Sequence, residues 1–148
     1  MAALSATGHQ RSLQVWDMAT GAQSLAINDG NNGAGDIAFS PDGRLIAVAS
    51  NRMTINVWNA RGGSLAAELY GHKSGVTSLA FNTDGSRLAS GGYDKYTIVW
   101  DMGRSIPLFS DLSHTDFVNG IAFSPDGRTV ASSSALDGSI YFWVFDPG

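Results

Sequence analysis

Two sets of serine, histidine and aspartate lie at nearly equal spacing along the chain, and these three residue types perform nucleophilic hydrolysis when they come together. In each set the serine follows the histidine by 18 residues, and the aspartate follows it by 22 or 23. The sets are His72, Ser90 and Asp94, and His114, Ser132 and Asp137. A hydrolase needs one exposed serine beside an oxyanion hole, not the same trio twice. The duplication therefore favours a structural role over a catalytic one.

The duplication is part of a repeat that runs through the whole chain. Successive tryptophans are 42, 42 and 43 residues apart, and three phenylalanines are 42 residues apart: Trp16, Trp58, Trp100, Trp143, Phe39, Phe81 and Phe123. A fixed period of about 20 to 50 residues is typical of a repeat architecture. We therefore treat residues 1–148 as one repeat segment, with a partial unit (1–17), two full units (18–59 and 60–101) and a third unit without its outer strand (102–144).

Each full unit is predicted to form four short antiparallel strands, because apolar and polar residues alternate between turn signals. The turns contain Pro41-Asp42-Gly43, Thr83-Asp84-Gly85 and Pro125-Asp126-Gly127. The expected strands are 4–7, 13–16, 25–27, 37–39, 45–49, 55–58, 65–69, 76–81, 87–90, 97–100, 106–112, 118–123, 129–133 and 140–144. The sequence thus predicts an all-β protein.

Composition excludes several classes of function. The net charge of −4 gives no electrostatic reason to expect binding to nucleic acid or to acidic membranes. The absence of cysteine rules out disulfides and thiolate metal sites. We see no signal peptide and no apolar run approaching 18 residues, so an intracellular, cytoplasmic location is expected. No catalytic residue, cofactor or metal site is predicted.

A glycine-rich stretch at 28–36 could suggest a phosphate or calcium loop. However, no P-loop lysine follows it, and Gly33 occupies the fifth position, where a calcium loop requires Asp or Asn. The stretch falls in register with Gly71-His72, so we interpret it as a linker between strands. His9 precedes its tryptophan by only seven residues and is expected to be a loop residue.

The pattern resembles the WD-repeat β-propeller family over nearly the whole chain. The resemblance rests on Trp16-Asp17, Trp58-Asn59, Trp100-Asp101, Gly71-His72 and the Pro-Asp-Gly turns. It implies four-stranded blades arranged radially, each unit supplying the outer strand of one blade and the three inner strands of the next. It also implies buried structural tetrads: His72, Ser90, Asp94 and Trp100, and His114, Ser132, Asp137 and Trp143. Such tetrads satisfy the hydrogen bonds of buried polar groups.

The first full unit departs from this tetrad. By register Gly30 replaces the histidine, Val48 the serine and Arg52 the aspartate, and the leading half-unit has Ala6 and Gln10 at the serine and aspartate positions. One explanation is drift in a unit that its neighbours support. The other is that Arg52, at a loop tip, is free to bind a ligand.

Propellers of this family bind partners mainly on the rim built by the loops before the first strand and between the second and third strands. The residues expected there are Arg52, Lys73, Tyr93, Lys95, Asp116 and Phe117, with Asn31, Asn32 and Asn51 nearby. Aromatic and arginine side chains at a rim can anchor a partner. The alternative is that they are scattered surface residues.

We therefore predict a non-catalytic protein-protein interaction scaffold. The alternative is a ligand- or partner-sensing portion of a larger signalling protein, and the third hypothesis is a hydrolase. About three and a half units are present, whereas rings of this family have four to eight blades. We expect self-association, for example two copies forming a seven-bladed ring, or ring closure by missing blades in cis.

Overall fold

The computed structural model describes residues 2–7, 10–28 and 34–145, with side chains described for 13–28 and 35–145. These residues form fourteen β-strands, and their secondary structure includes no helix. None of them therefore belongs to a helix long and apolar enough to cross a membrane. His9 and most of the predicted linker, including Gly30, Asn31 and Asn32, lie outside the described residues.

The strands form four antiparallel sheets, which we call blades I to IV in chain order. Blade I contains β1 (Ala2–Thr7), β2 (Gln10–Trp16) and β3 (Gln23–Ile27). Blade II contains β4 (Ala34–Phe39), β5 (Leu45–Ser50), β6 (Thr54–Asn59) and β7 (Leu65–Tyr70). Blade III contains β8 (Val76–Phe81), β9 (Arg87–Gly92), β10 (Thr97–Asp101) and β11 (Ile106–Asp111). Blade IV contains β12 (Gly120–Phe123), β13 (Thr129–Ser134) and β14 (Ser139–Val144).

Strand order within each blade follows the chain, so each blade is a meander of neighbouring hairpins. Two blades with four strands and two with three correspond to about three and a half repeat units of a β-propeller. The predicted all-β propeller architecture is confirmed.

The turns between the first two strands of blades II, III and IV explain the repeated Asp-Gly pair. Gly43, Gly85 and Gly127 have φ angles of 69°, 74° and 69°, a left-handed conformation that glycine adopts without steric cost. Each glycine N–H donates to the carbonyl three residues earlier, on Ser40, Asn82 and Ser124. The turns place one end of each blade on the same rim.

Apolar side chains fill the spaces between neighbouring blades. Between blades II and III, Ala47, Val57 and Leu69 pack in one cluster with Leu88 and Trp100. Smaller clusters fill the other two spaces, with Leu13, Val15, Ile46 and Val48 between I and II, and Ala89, Val99 and Val130 between III and IV. Each blade buries its faces only against its neighbours.

Most expected strands are shorter than the observed ones, and two run past the observed limits. The expected strand 118–123 begins at Gly120, and the expected strand 106–112 ends at Asp111. Val118 leaves blade IV because its N–H donates to the carbonyl of Gly92 at 3.1 Å, and its own carbonyl accepts from the Thr77 hydroxyl. Val118 therefore joins blade IV to blade III instead of extending β12.

Candidate functional site

The Ser, His and Asp residues of blade III form a continuous hydrogen-bonded chain that includes a tryptophan. His72 Nδ1 lies 2.9 Å from Asp94 Oδ2, and His72 Nε2 lies 2.8 Å from Ser90 Oγ. The indole Nε1 of Trp100 donates to the same Ser90 Oγ at 2.8 Å. Ser90 and Trp100 have no exposed surface, and His72 is 7% exposed. The structure thus brings all four residues together in the interior.

A single ring proton, on Nδ1 of His72, gives each of these four side chains a hydrogen-bond partner. Nδ1 then donates to Asp94, Nε2 accepts the Ser90 hydroxyl proton, and Ser90 Oγ accepts from the Trp100 indole. Gly71 allows the close packing, because a Cβ atom there would lie 2.9 Å from Trp100 Cη2. The Gly-His pair is therefore a packing requirement as well as a hydrogen-bonding one.

Blade IV repeats the arrangement with an added serine. His114 Nδ1 lies 3.0 Å from Asp137 Oδ2, and Nε2 lies 2.9 Å from Ser132 Oγ. Trp143 Nε1 donates to Ser132 Oγ over a longer 3.4 Å. The Ser139 hydroxyl donates to Asp137 and, with N–H donors and His114, holds the pKa of this carboxyl well below its usual range.

The two aspartates also fix loops outside the blades. Asp94 accepts hydrogen bonds from the backbone N–H groups of Lys73 at 2.6 Å and Tyr96 at 3.1 Å. Asp137 accepts one from the N–H of Thr115 at 2.9 Å. Each buried carboxylate therefore ties the loop before its blade to the loop between the blade's second and third strands.

The Asp-His-Ser geometry matches the proton relay of a hydrolase, but the serines are closed to substrate. Ser90 is fully buried and Ser132 is 1% exposed. The hydroxyl of each serine donates to the histidine and accepts an indole N–H, so it is held on two sides. Among the described side chains, no group of three His, Cys, Asp or Glu residues is placed to hold a metal ion.

Blade II lacks the tetrad, and buried polar atoms in it are left without hydrogen-bond partners. Val48 is fully buried at the position of the serine. The indole Nε1 of Trp58 is buried and has no hydrogen-bond partner, and neither does the buried Oδ1 of Asn56, two residues away on β6. An unpaired buried polar group is unfavourable by about 1 to 3 kcal/mol. Among the described side chains blade III has one such atom, Thr97 Oγ1, so blade II is less well satisfied than blades III and IV. The side chains of Ala6 and Gln10 in the leading half-unit are not described.

The expected rim residues lie on one edge of blades II to IV, and the aromatic ones touch. The rings of Tyr93 and Phe117 are 5.3 Å apart and come from blades III and IV. Gly75 lies between Tyr93 and blade II, because a Cβ atom there would lie 3.3 Å from Tyr93 Cδ2 and 3.4 Å from the Cα of Asn51, next to Arg52. The rim is thus continuous across three blades.

The charged rim residues have distinct contacts. Lys73 Nζ donates to the Tyr96 hydroxyl at 3.2 Å and lies 5.0 Å from that ring's centre. Lys95 Nζ donates to the carbonyl of Thr115 at 2.7 Å. The carboxylate of Asp116 accepts from the Phe117 N–H at 2.7 Å, and Arg52 is exposed. We call Arg52, Lys73, Tyr93, Lys95, Asp116 and Phe117 the rim strip.

Three residues that matter at this edge were not singled out from the sequence. Tyr96 supports the Lys73 ammonium, Ser139 joins the second tetrad, and Met53, 47% exposed with a φ of 70°, stands beside Arg52. Of these, Ser139 gives the clearest sequence signal, because it follows Asp137 by two residues just as Tyr96 follows Asp94. The other two become evident only from the loop conformations.

Comparison with protein families gives a match to the WD domain, G-beta repeat, at residues 22–59, 63–101 and 106–144. The three matched stretches follow one another and cover more than half of the chain. A search of curated proteins found no match. With the repeated blades and the buried tryptophan networks, the family match establishes that this chain belongs to the WD domain, G-beta repeat family.

Proposed function

We propose that the chain is a non-catalytic platform for protein partners and that the rim strip is its binding surface. Repeats of this family generally mediate protein-protein interaction. The observation that carries the proposal is the Tyr93–Phe117 pair, which joins two blades while Tyr93 remains 56% exposed. Exposed aromatic side chains on a rigid frame are efficient binding anchors, because little conformational freedom is lost on binding.

Rigidity of the rim supports this assignment. The loop of Lys73 and the loop of Lys95 are both tied to Asp94, whose side chain is only 4% exposed. Thr115, two residues before Phe117, is tied in the same way to Asp137. The tetrads hold the rim loops in place, so their role in function is to position a surface.

A capture experiment tests the proposal. Arg52, Tyr93, Lys95 and Phe117 changed together to alanine should abolish capture of protein partners from lysate and leave the thermal transition nearly unchanged. The matched control changes Arg44, Arg61 and Arg104 to alanine on the opposite rim, and it should capture the same proteins as wild type. Retained capture by the rim variant at full stability would move the site to another face.

Partner sensing within a larger signalling protein is the alternative, and it would use the same rim. The two functions differ in whether binding at the rim regulates another domain. Coding sequence flanking this chain would separate them, because a sensor requires a second domain to regulate.

We also propose that the free face of blade IV packs on a second copy of the chain. Ile140, Phe142 and Val144 on β14 are 63%, 67% and 77% exposed. In blade III the residue in register with Phe142 is Val99, which is fully buried in the cluster that separates blades III and IV. Phe142 thus occupies a position that a following blade covers elsewhere in the molecule.

We propose that the Trp16 side of blade I forms the other half of that contact. In blades III and IV the tryptophan side of a blade faces the preceding blade, and in blade I this side carries Trp16, which is 37% exposed. The Trp16 side of one copy and the Phe142 side of another would repeat an interface that the chain already contains. Such a head-to-tail contact can close a ring or form an open chain.

A further inference from the structure

The cations of the rim strip differ from two arginines on the opposite rim, Arg44 and Arg104. Arg52, Lys73 and Lys95 are exposed, and none of them forms an ion pair with a carboxylate of the described residues. On the opposite rim, Arg44 lies 3.8 Å from Asp42, and Arg104 lies 4.0 Å from Asp101. The three cations of the rim strip are therefore without a carboxylate partner in the described part of the chain, beside the exposed Tyr93.

The carboxylates near the strip are engaged by hydrogen-bond donors of the chain. The side chains of Asp94 and Asp137 are 4% and 5% exposed and bind histidines. Both oxygens of Asp36 accept backbone N–H groups, from Ile37 and Leu79 at 2.8 Å each. Asp116 uses one oxygen for the Phe117 N–H. The exposed face of the strip is consequently positive, although the whole chain carries a net charge of −4.

The positions of the cations suit an extended ligand. Arg52 stands at the tip of blade II, and Lys73 lies on blade III beside Tyr96. Lys95 reaches from blade III to the carbonyl of Thr115 at the edge of blade IV. Bonds to a hydroxyl and to a carbonyl orient the two ammonium groups without neutralising them. The Tyr93–Phe117 pair lies among these three charges.

We infer that the rim strip binds an acidic peptide whose carboxylates pair with Arg52, Lys73 and Lys95 while an aromatic or apolar side chain packs on Tyr93 and Phe117. This inference rests on the proposed function and adds the charge class of the partner. Complementary charge raises the rate of encounter and selects against basic partners. A nucleic acid is the less favoured anion, because its dense charge would be repelled by the acidic remainder of the chain.

The probe for the test is a fluorescent synthetic peptide of glutamates around one tyrosine, titrated against the full chain by fluorescence anisotropy. The control probes are a peptide with lysine in place of each glutamate and a single-stranded oligonucleotide with the same net charge as the acidic peptide. We expect saturable binding of the acidic peptide, weakening with added salt, and no binding of the basic one.

Two charge-reversal variants locate the binding. Arg52, Lys73 and Lys95 changed together to glutamate should weaken binding by about tenfold or more. The control, Arg44, Arg61 and Arg104 changed to glutamate, alters the net charge equally on the opposite rim and should change affinity less than about threefold, because distant charges are screened. Urea denaturation of each variant shows that it folds.

The inference is overturned if the acidic peptide does not bind, if the two variants lose affinity equally, or if the oligonucleotide binds more tightly than the peptide. Failure of this inference can be distinguished from failure of the proposed function. If the alanine rim variant still loses protein capture while the acidic peptide fails to bind, the rim is the binding surface and only the charge class is wrong. Retained capture by that variant rejects the rim itself.

Discussion

Replacing Asp94 with alanine should lower the free energy of unfolding by about 1 to 3 kcal/mol. The carboxylate accepts from His72 and from the N–H groups of Lys73 and Tyr96, and its loss leaves these donors without their partner. The histidine is 7% exposed, so water cannot readily replace the aspartate. The free energy is measured by urea denaturation.

Arg52 provides the control, because it occupies the register position of Asp94 in blade II. Arg52→Ala removes an exposed side chain and should change the free energy of unfolding by no more than about 0.5 kcal/mol. Equal shifts in the two denaturation midpoints, at unchanged slope, would contradict the register and the structural role of Asp94.

The contribution of Asp94 should also depend on pH. Burial acts to raise the pKa of this carboxyl, but hydrogen bonds from His72 and the two N–H groups together hold the pKa below its ordinary value. A depressed folded-state pKa stabilises the fold above the unfolded pKa of about 3.9 and loses that effect as the pH falls through the folded value. The difference between wild type and Asp94→Ala should therefore shrink below about pH 4.

Under the proposed packing of blade IV on a second copy, replacing Phe142 with aspartate should convert the assembly to a monomer. The side chain is 67% exposed, so a charge there is tolerated in the folded monomer. Against the Trp16 side of a second copy, the same charge would be buried without a partner, which is strongly unfavourable. Size-exclusion chromatography with light scattering, over a range of concentrations, measures the mass.

Leu108→Asp is the matched control for this change. Leu108 is 49% exposed on β11, the outer strand of blade III, away from the free face of blade IV. The Leu108→Asp substitution should leave the mass of the assembly unchanged. A wild-type chain that stays a compact monomer with a sharp cooperative melt at every concentration would reject packing on a second copy.

The fold was predictable because its signals are local and repeated. Each Asp-Gly turn needs a left-handed glycine, and each tryptophan marks the same strand at a step of 42 or 43 residues. The limit of β12 was not predictable, since the N–H of Val118 bonds to Gly92 of another blade. A contact between blades leaves no periodic trace in the sequence.

The site was predictable only in part. Register placed Val48 where the other blades have serine, which agrees with the unpaired indole of Trp58, but nothing indicated the unpaired oxygen of Asn56. The Tyr93–Phe117 contact joins loops of different blades, 24 residues apart, and depends on how those loops fold. The charge of the strip likewise depends on which carboxylates the folded loops engage in hydrogen bonds.

The Ser-His-Asp sets are expected to hold the blades and their loops together without performing chemistry. Incubation of the folded chain with a fluorophosphonate, followed by intact-mass and peptide mass spectrometry, tests this most directly because the reagent labels a serine that a histidine activates. The buried Ser90 and Ser132, each bonded to an indole, should remain unlabelled. A stoichiometric adduct on either serine in the folded chain would show that the relay is open to substrate and would contradict the account.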